Sequence, residues 1–310
     1  MTGERDAGAP NRGFVYRSRV DRRGSGVPVL AYLTGTWPHS DGRTWRARIL
    51  DGLVRVDGDA VEPDRVLREG QELAWHRPPW VEPAAPDGLT IVHVDDDLVV
   101  VSKPPGLPTL PGAGFLENTL LHRTRERFPD ARPMHRLGRS TSGLVLFGRS
   151  HGMQRHLSAA LRDGTVYKRY RAMLAGRPER DRFTVDAPIG PVPHPVLGAI
   201  HAATPDGRPS SSAFRVVERR VGETLADVVI ATGRPHQIRI HAAAAGHPLA
   251  GDPLYVAGGR PAEGCRALPG DPGYVLHAAE LRFTDPGGSL RTYVDRPPVA
   301  LCAARERADP

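Results

Sequence analysis

Between Thr224 and Gly246 the hydrophobic pattern of the chain changes period. In "TLADVVIATG" the residues Ala226, Val228 and Ile230 fall on one face, as in a half-buried strand. "PHQIRIHAAAAG" follows as a predicted helix, with Pro235 in its first turn and Gly246 after its end. A strand that runs through a polar Gly-Arg-Pro turn into a short helix dictates much of what surrounds it. Other segments behave similarly. "LTIVHVDDDLVVVSKPPG" predicts two apolar strands joined by an acidic turn, and "GLVLFGRS" predicts a third. "TVYKRYRAMLAG" predicts a strand carrying Val166, Lys168, Tyr170 and Ala172 on one face. "HGMQRHLSAALRDG" has Met153, Leu157 and Leu161 four apart and Gly164 as a helix stop. Strands and helices mix without a regular βαβ repeat, and 34 Gly and 31 Pro favour turns. The expected fold class is α+β, with a central, mainly antiparallel mixed sheet.

Composition divides the chain. Residues 1–26 are polar, Gly-rich and basic, and are expected to form a disordered arm. Residues 27–82 predict a small unit: two short helical patterns, a hairpin in "LVRVDGDAV" and a strand in "LREGQELAWHR". The Pro-rich "RPPWVEPAAPDG" predicts a linker at 83–87. A larger unit is expected over 88–296, and a C-terminal tail over 297–310.

The formal net charge of +7 suits a polyanionic partner such as RNA. Of the 42 basic residues only Lys103 and Lys168 are lysine. In so Arg-rich a chain, a retained lysine points to a position where the planar guanidinium does not fit. No apolar run reaches bilayer-spanning length and no secretory segment is evident, so a cytoplasmic protein without membrane contact is expected. Cys265 and Cys302 have no paired spacing, and the 13 His include no helical ligand pair, so no metal site is expected. A monomer is the default expectation.

The polar residues cluster at strand and helix ends. "PMHRLGRSTSGLVLFGRS" is a loop of His135, Arg136, Arg139, Thr141 and Ser142 that enters a strand, with Gly138 near its centre. Arg234, His236, Gln237 and Arg239 surround the strand-to-helix turn. Arg forks and helix N-termini hold phosphates, and a tyrosine beside them can stack on a base.

Together, "HRLGRSTSGLVLF", "YKRYRAML", "TGRPHQIRIHAAAAGHPLAGDPLY" and "LHAAELRF" resemble the successive motifs of the RluA-type RNA pseudouridine synthases, and "VVVSKPPGLPTLPG" resembles the strand and loop leading into their site. The resemblance covers roughly 88 to 286. Residues 27–82 resemble, more loosely, the small alpha-L RNA-binding domain often fused to these enzymes. The resemblance implies the pseudouridine synthase fold and isomerisation of a flipped-out uridine in structured RNA, ribosomal rather than transfer RNA. It implies no cofactor, since the reaction has no redox step. It makes Arg239 and Tyr170 catalytic and puts Gly138 at the family's catalytic Asp position. It also makes Ile230 an apolar floor under the base, Thr141 and Ser142 braces of the loop, and His135, Arg136, Arg139, Arg234, His236, Gln237, Lys103 and Lys168 RNA contacts.

The missing carboxylate leaves two readings open: an active synthase that works without it, or an inactive RNA-binding or RNA-chaperone protein that retains the fold. It also leaves Arg239 in need of an anionic partner. Asp252 and Asp227 are the candidates, and a structural role is the preferred reading for both. An Asp placed at 138 is expected to raise activity in an otherwise intact pocket.

Overall fold

The computed structural model describes residues 9–307. The chain divides at Glu82/Pro83 into two compact units.

The smaller unit contains β1 (Phe14–Arg19), α1 (Val29–Thr36), α2 (Gly42–Leu50), β2 (Val54–Val56), β3 (Asp59–Ala60) and β4 (Glu72–Arg77). Its four strands form an antiparallel sheet in the order β1-β4-β2-β3. Asp41 caps α2 by accepting from Thr44 N at 2.8 Å, which satisfies one of the free amides of the first turn. The two helices bury Val29, Leu33, Trp45 and Ile49 against Val54, Leu73 and Trp75. The Arg48 guanidinium covers Trp45 and Trp75 at 4.6 and 4.4 Å, a cation–π contact that also shields the rings from water.

One expectation is corrected here. The disordered arm predicted over 1–26 is structured for much of its length. Phe14–Arg19 pairs residue by residue with β4, and the buried Asn11 amide donates to Glu82 Oε1 at 2.7 Å. A polar strand reads as disorder when its partner lies far along the chain. Residues 1–8 of that prediction lie outside the described residues.

The larger unit runs β5 (Thr90–Val94), β6 (Leu98–Lys103), α3 (Leu120–Arg127), β7 (Arg132–Pro133), β8 (Ser142–Gly148), α4 (His151–Arg162), β9 (Tyr167–Ala175), β10 (Arg182–Val185), β11 (Ile189–His194), β12 (Gly198–Ala203), β13 (Ser212–Arg219), β14 (Glu223–Ile230), α5 (Gln237–Ala244), β15 (Tyr255–Val256), β16 (Arg260–Pro261), β17 (Leu276–Thr284), β18 (Leu290–Val294) and α6 (Ala304–Arg307). A ten-stranded sheet has the order β10-β13-β14-β9-β17-β8-β6-β5, with β18 beside β17 and β7 beside β8. Its pairings are antiparallel except the β8–β17 seam. The mixed, mainly antiparallel α+β architecture is the one expected.

The central strands are apolar on both faces because both are covered. Val99, Val101, Val145 and Phe147 enter one core. Their neighbours Leu98, Val100, Leu144 and Leu146 enter the other, where α4 contributes Met153 and Leu157. At the parallel seam Gly143, with φ +106°, pairs with Ala278. A Cβ there would lie 2.3 Å from the Ala278 carbonyl oxygen, so only glycine lets the two strands approach.

Three further readings change. The linker 83–87 belongs to the larger unit: Ala85 is part of its core, and the buried Arg123 pairs with Asp87 and donates to the Pro86 carbonyl. The tail also docks. Leu301 packs on Met173 and Leu225, and Arg171 donates to both carboxylate oxygens of Glu306 at 2.8 and 3.1 Å. Finally, α5 starts at Gln237, because His236 has φ 56° and stands outside the helix; Pro235 therefore precedes the first turn.

The hydrogen bonds from Arg171 draw the Glu306 carboxyl down from its ordinary 4.5 to about 2. A depressed carboxyl contributes stability above its unfolded value and loses it as the pH falls through the folded one. Hydrogen-exchange protection of residues 299–307 is thus expected to weaken as the pH drops from 4.5 towards 2. Protection that persists unchanged through this window contradicts the pairing.

Candidate active site

The sheet register brings distant segments together. Ser142 at the start of β8 pairs with His277 near the start of β17. Tyr170 on β9 lies between Val228 of β14 and Ala278 of β17. The loop entering β8, the segment entering β17 and the turn leaving β14 thereby surround Tyr170. They line an open cleft whose walls include Gly138, Tyr170, Ile230, Arg239, Tyr274 and Leu276. A wider opening of about 1320 Å³ shares Arg136, Tyr170, Ile230 and Arg234 with it and adds His135 and Lys168. The expected catalytic pair, Tyr170 and Arg239, therefore lines one cleft, and Ile230 lines it too.

Arg239 has its anion. Its Nε and Nη2 donate to the two carboxylate oxygens of Asp252, both at 2.7 Å, and Nη1 donates to the Pro269 carbonyl at 2.7 Å. The two side chains are 2% and 0% exposed. The guanidinium also lies against the rings of Tyr255 and Tyr274, at 5.0 and 4.2 Å. Asp252 additionally accepts from Leu254 N at 2.9 Å and Tyr255 N at 3.2 Å, which fixes the "GDPLY" turn. Asp252 is thus the partner that Arg239 needs. Asp227 instead accepts from Arg169, Arg171 and Arg215.

No Asp or Glu is among the residues lining the inner cleft. Gly138 lines it without a side chain. A Cβ added there would lie 3.0 Å from the Tyr274 hydroxyl and 3.5 Å from Thr141 Oγ1. Tyr274 has no local sequence signal; only the β8–β17 seam shows that it faces Gly138.

The loop is clamped from behind. Lys103, fully buried, donates to the carbonyls of Pro104, Leu107 and Arg139 at 2.9, 2.7 and 3.0 Å. Thr109 Oγ1 donates to the Leu137 carbonyl at 2.9 Å and accepts from Leu137 N at 3.2 Å. Burial pulls the Lys103 amine down to about 7, whereas three converging carbonyls fit the three donors of an ammonium. The RNA contact expected of Lys103 is therefore corrected to a loop anchor, and a planar guanidinium could not replace it. Lys103→Met, which leaves buried acceptors unpaired, is expected to lower stability by about 2 kcal/mol in denaturant unfolding. Lys103→Arg is expected not to rescue it. Wild-type stability in both variants contradicts the anchor.

Other expected contacts change as well. The Gln237 amide is used up within the protein: Oε1 accepts from Thr232 Oγ1 and Arg234 N, and Nε2 donates to the Ser211 carbonyl and Ser212 Oγ. It holds the turn in shape and has no position left for RNA. His135 Nε2 accepts from Leu146 N at 3.1 Å. Burial and then the nearby Lys168 lower it to about 4, so it is neutral. The Arg139 guanidinium lies 5.7 Å from the Phe115 ring centre and outside the cleft lining. Ser142 braces a neighbouring strand rather than its own loop, with Oγ 2.9 Å from His277 Nδ1. Thr141 N closes a turn on the Gly138 carbonyl at 3.1 Å.

What remains at the opening is mostly basic and polar, with Asp163 as its one carboxylate among the described residues. Arg136 and Arg234 line both parts of the cleft. Lys168 is 5% exposed, and burial lowers its amine. The Tyr255 hydroxyl donates to the His201 carbonyl at 2.7 Å, so the proton in its 2.8 Å contact with His236 belongs to His236 Nδ1. Burial, then Arg239, His201 and Arg136, keep that imidazole neutral by lowering it to about 3. Its Nε2 is therefore an acceptor. Burial raises the Tyr170 phenol to about 12, so it stays protonated.

A sheet of this topology, with a Tyr and a buried Arg in a basic cleft, is that of the pseudouridine synthases. The family model for RNA pseudouridylate synthase matches residues 97–244, and the chain belongs to the RNA pseudouridine synthase family. The RNA pseudouridine synthase slr1592 of Synechocystis sp. is 42% identical over 257 residues, covering 82% of this chain and 88% of the relative. Ribosomal large subunit pseudouridine synthase D of Vibrio parahaemolyticus is 31% identical over 275 residues, covering 83% and 82%. The solved structure of human RNA Pseudouridylate Synthase Domain Containing 1 is similar with a TM-score of 0.53 and 26% identity, over 68% of this chain and 84% of the other.

Proposed function

We propose that this chain is an active pseudouridine synthase acting on a uridine of ribosomal RNA, by way of base flipping and without a carboxylate lining the inner cleft. The observation that carries the reading is the single cleft containing Tyr170, Ile230 and the supported Arg239, opening past Arg136, Arg234 and Lys168. Flipping a nucleotide costs a few kcal/mol, and phosphate contacts from Arg136, Arg234 and Lys168 offset it. The uracil then stacks against Tyr170 with Ile230 beneath it. The bond between N1 and C1′ breaks, the base turns, and C5 bonds to C1′. C5 loses its proton on the Tyr170 side of the pocket, and N1, freed from the sugar, takes up a proton from water, so the product is an isomer of the substrate. Arg239, held by Asp252, supports the opposite wall.

The ribosomal target rests on the relatives named for the large ribosomal subunit. The test is a pseudouridine map of ribosomal and transfer RNA from cells lacking this chain. Loss of one or a few ribosomal pseudouridines, restored by the wild-type chain, is the expected result. An unchanged ribosomal map, with losses confined to transfer RNA, overturns the target. No change in either favours the inactive RNA-binding reading.

A further inference from the structure

Tyr274 is a buried aromatic residue whose hydroxyl ends at the cleft. It is 4% exposed and lines the inner cleft beside Gly138. The oxygen stands 3.0 Å from the point where a side chain on Gly138 would begin. Its one hydrogen bond among the described residues is long, 3.5 Å to Thr141 Oγ1, so the phenol has donor capacity to spare. The Arg239 guanidinium lies 4.2 Å from the centre of the Tyr274 ring. A fixed cation against the ring helps hold the phenol in place at the cleft wall. Asp252 and the Pro269 carbonyl pin that cation, so the arrangement is preorganised.

We propose that Tyr274 is a catalytic residue of this site: its hydroxyl donates a hydrogen bond to the uracil as the base leaves C1′. The inference rests on the synthase reading above. When the C1′–N1 bond breaks, its electron pair stays with the uracil, so negative charge grows on N1 and the carbonyl oxygens O2 and O4, while C1′ is left electron-poor until C5 bonds to it. A donor fixed at the wall of the cleft is worth most at that moment. On this account Gly138 and Tyr274 are complementary. The glycine leaves room for the hydroxyl, and the hydroxyl supplies the polar group that the glycine lacks. Support for the departing base then replaces a nucleophile at the sugar.

The same geometry revises the expectation for Gly138→Asp. Its Cβ would press on the Tyr274 oxygen, so the single variant displaces the donor and does not gain activity. Removing the hydroxyl frees that space.

The experiment is single-turnover tritium release from RNA labelled at uracil C5, with RNA affinity measured in parallel. Tyr274→Phe is expected to release tritium about 100-fold more slowly, with unchanged RNA affinity and an unchanged unfolding midpoint. Gly138→Asp is expected to be slower than wild type. The Gly138→Asp/Tyr274→Phe double variant is expected to be faster than Tyr274→Phe alone, a reversal that a merely structural tyrosine would not produce. An active wild type beside an equally active Tyr274→Phe overturns this proposal alone. A wild type that releases no tritium overturns the synthase reading and this proposal with it.

Discussion

Replacing Asp252 by Asn is expected to destabilise the larger unit by about 3–5 kcal/mol, as for other buried pairs that lose one partner. The substitution keeps an oxygen for the amides of Leu254 and Tyr255. It puts a neutral amide against a guanidinium that is only 2% exposed. Arg239→Ala should cost a similar amount, and the double variant less than the sum, because the two residues act as one unit. Denaturant unfolding, followed by a probe in the larger unit, measures all three. The same pairing predicts how Arg239 affects RNA binding. A phosphate contact would make the salt dependence of affinity shallower on removal. Since the charge is spent on Asp252 and Pro269, the slope should stay unchanged in a folded Arg239 variant. A shallower slope would mean that the guanidinium reaches RNA.

The second large effect is expected at Tyr170. Tyr170→Phe keeps the ring against the base and removes the hydroxyl. Tritium release should fall about 10²–10⁴-fold, the range for a positioned proton-transfer group. RNA affinity should hold, because stacking comes from the ring. Burial keeps the phenol protonated at neutral pH by raising it to about 12. The Tyr170 oxygen can therefore take the C5 proton only as its own passes to water, which in turn supplies the proton taken up at N1. Release unimpaired in Tyr170→Phe would reduce Tyr170 to a platform.

How much of this could be read from the chain depends on how far apart the interacting residues lie. The strand–turn–helix from Thr224 to Ala244 was legible, because its period and turn residues are local. So were β6, β8, β9 and α4. The polar strand Phe14–Arg19 was not, since its partner is β4 and nothing in its own residues marks it. Residues 83–87 look like a linker by composition, yet Ala85 is core. The scarcity of lysine singled out Lys103 correctly as a place where arginine does not fit. It gave no hint that the reason was three carbonyls rather than RNA. Arg239's need for an anion was implied by the family resemblance, in which the matching Arg pairs with the Asp that Gly138 replaces. The choice of Asp252 was not, because an Asp-Pro turn reads as structure. Tyr274 escaped entirely: it meets the loop residue Thr141 across 133 positions of sequence, through a parallel seam that only the folded sheet reveals.

The central question is whether an inner cleft lined by no carboxylate still moves a uracil from N1 to C5 attachment. Incubating the purified wild-type chain with ribosomal RNA made with C5-tritiated uridine measures that directly. The expected result is tritium released into water to a fixed plateau, with pseudouridine formed in equal amount at the released positions. RNA that binds the chain but keeps all of its tritium, at every ribosomal and transfer RNA offered, would contradict it.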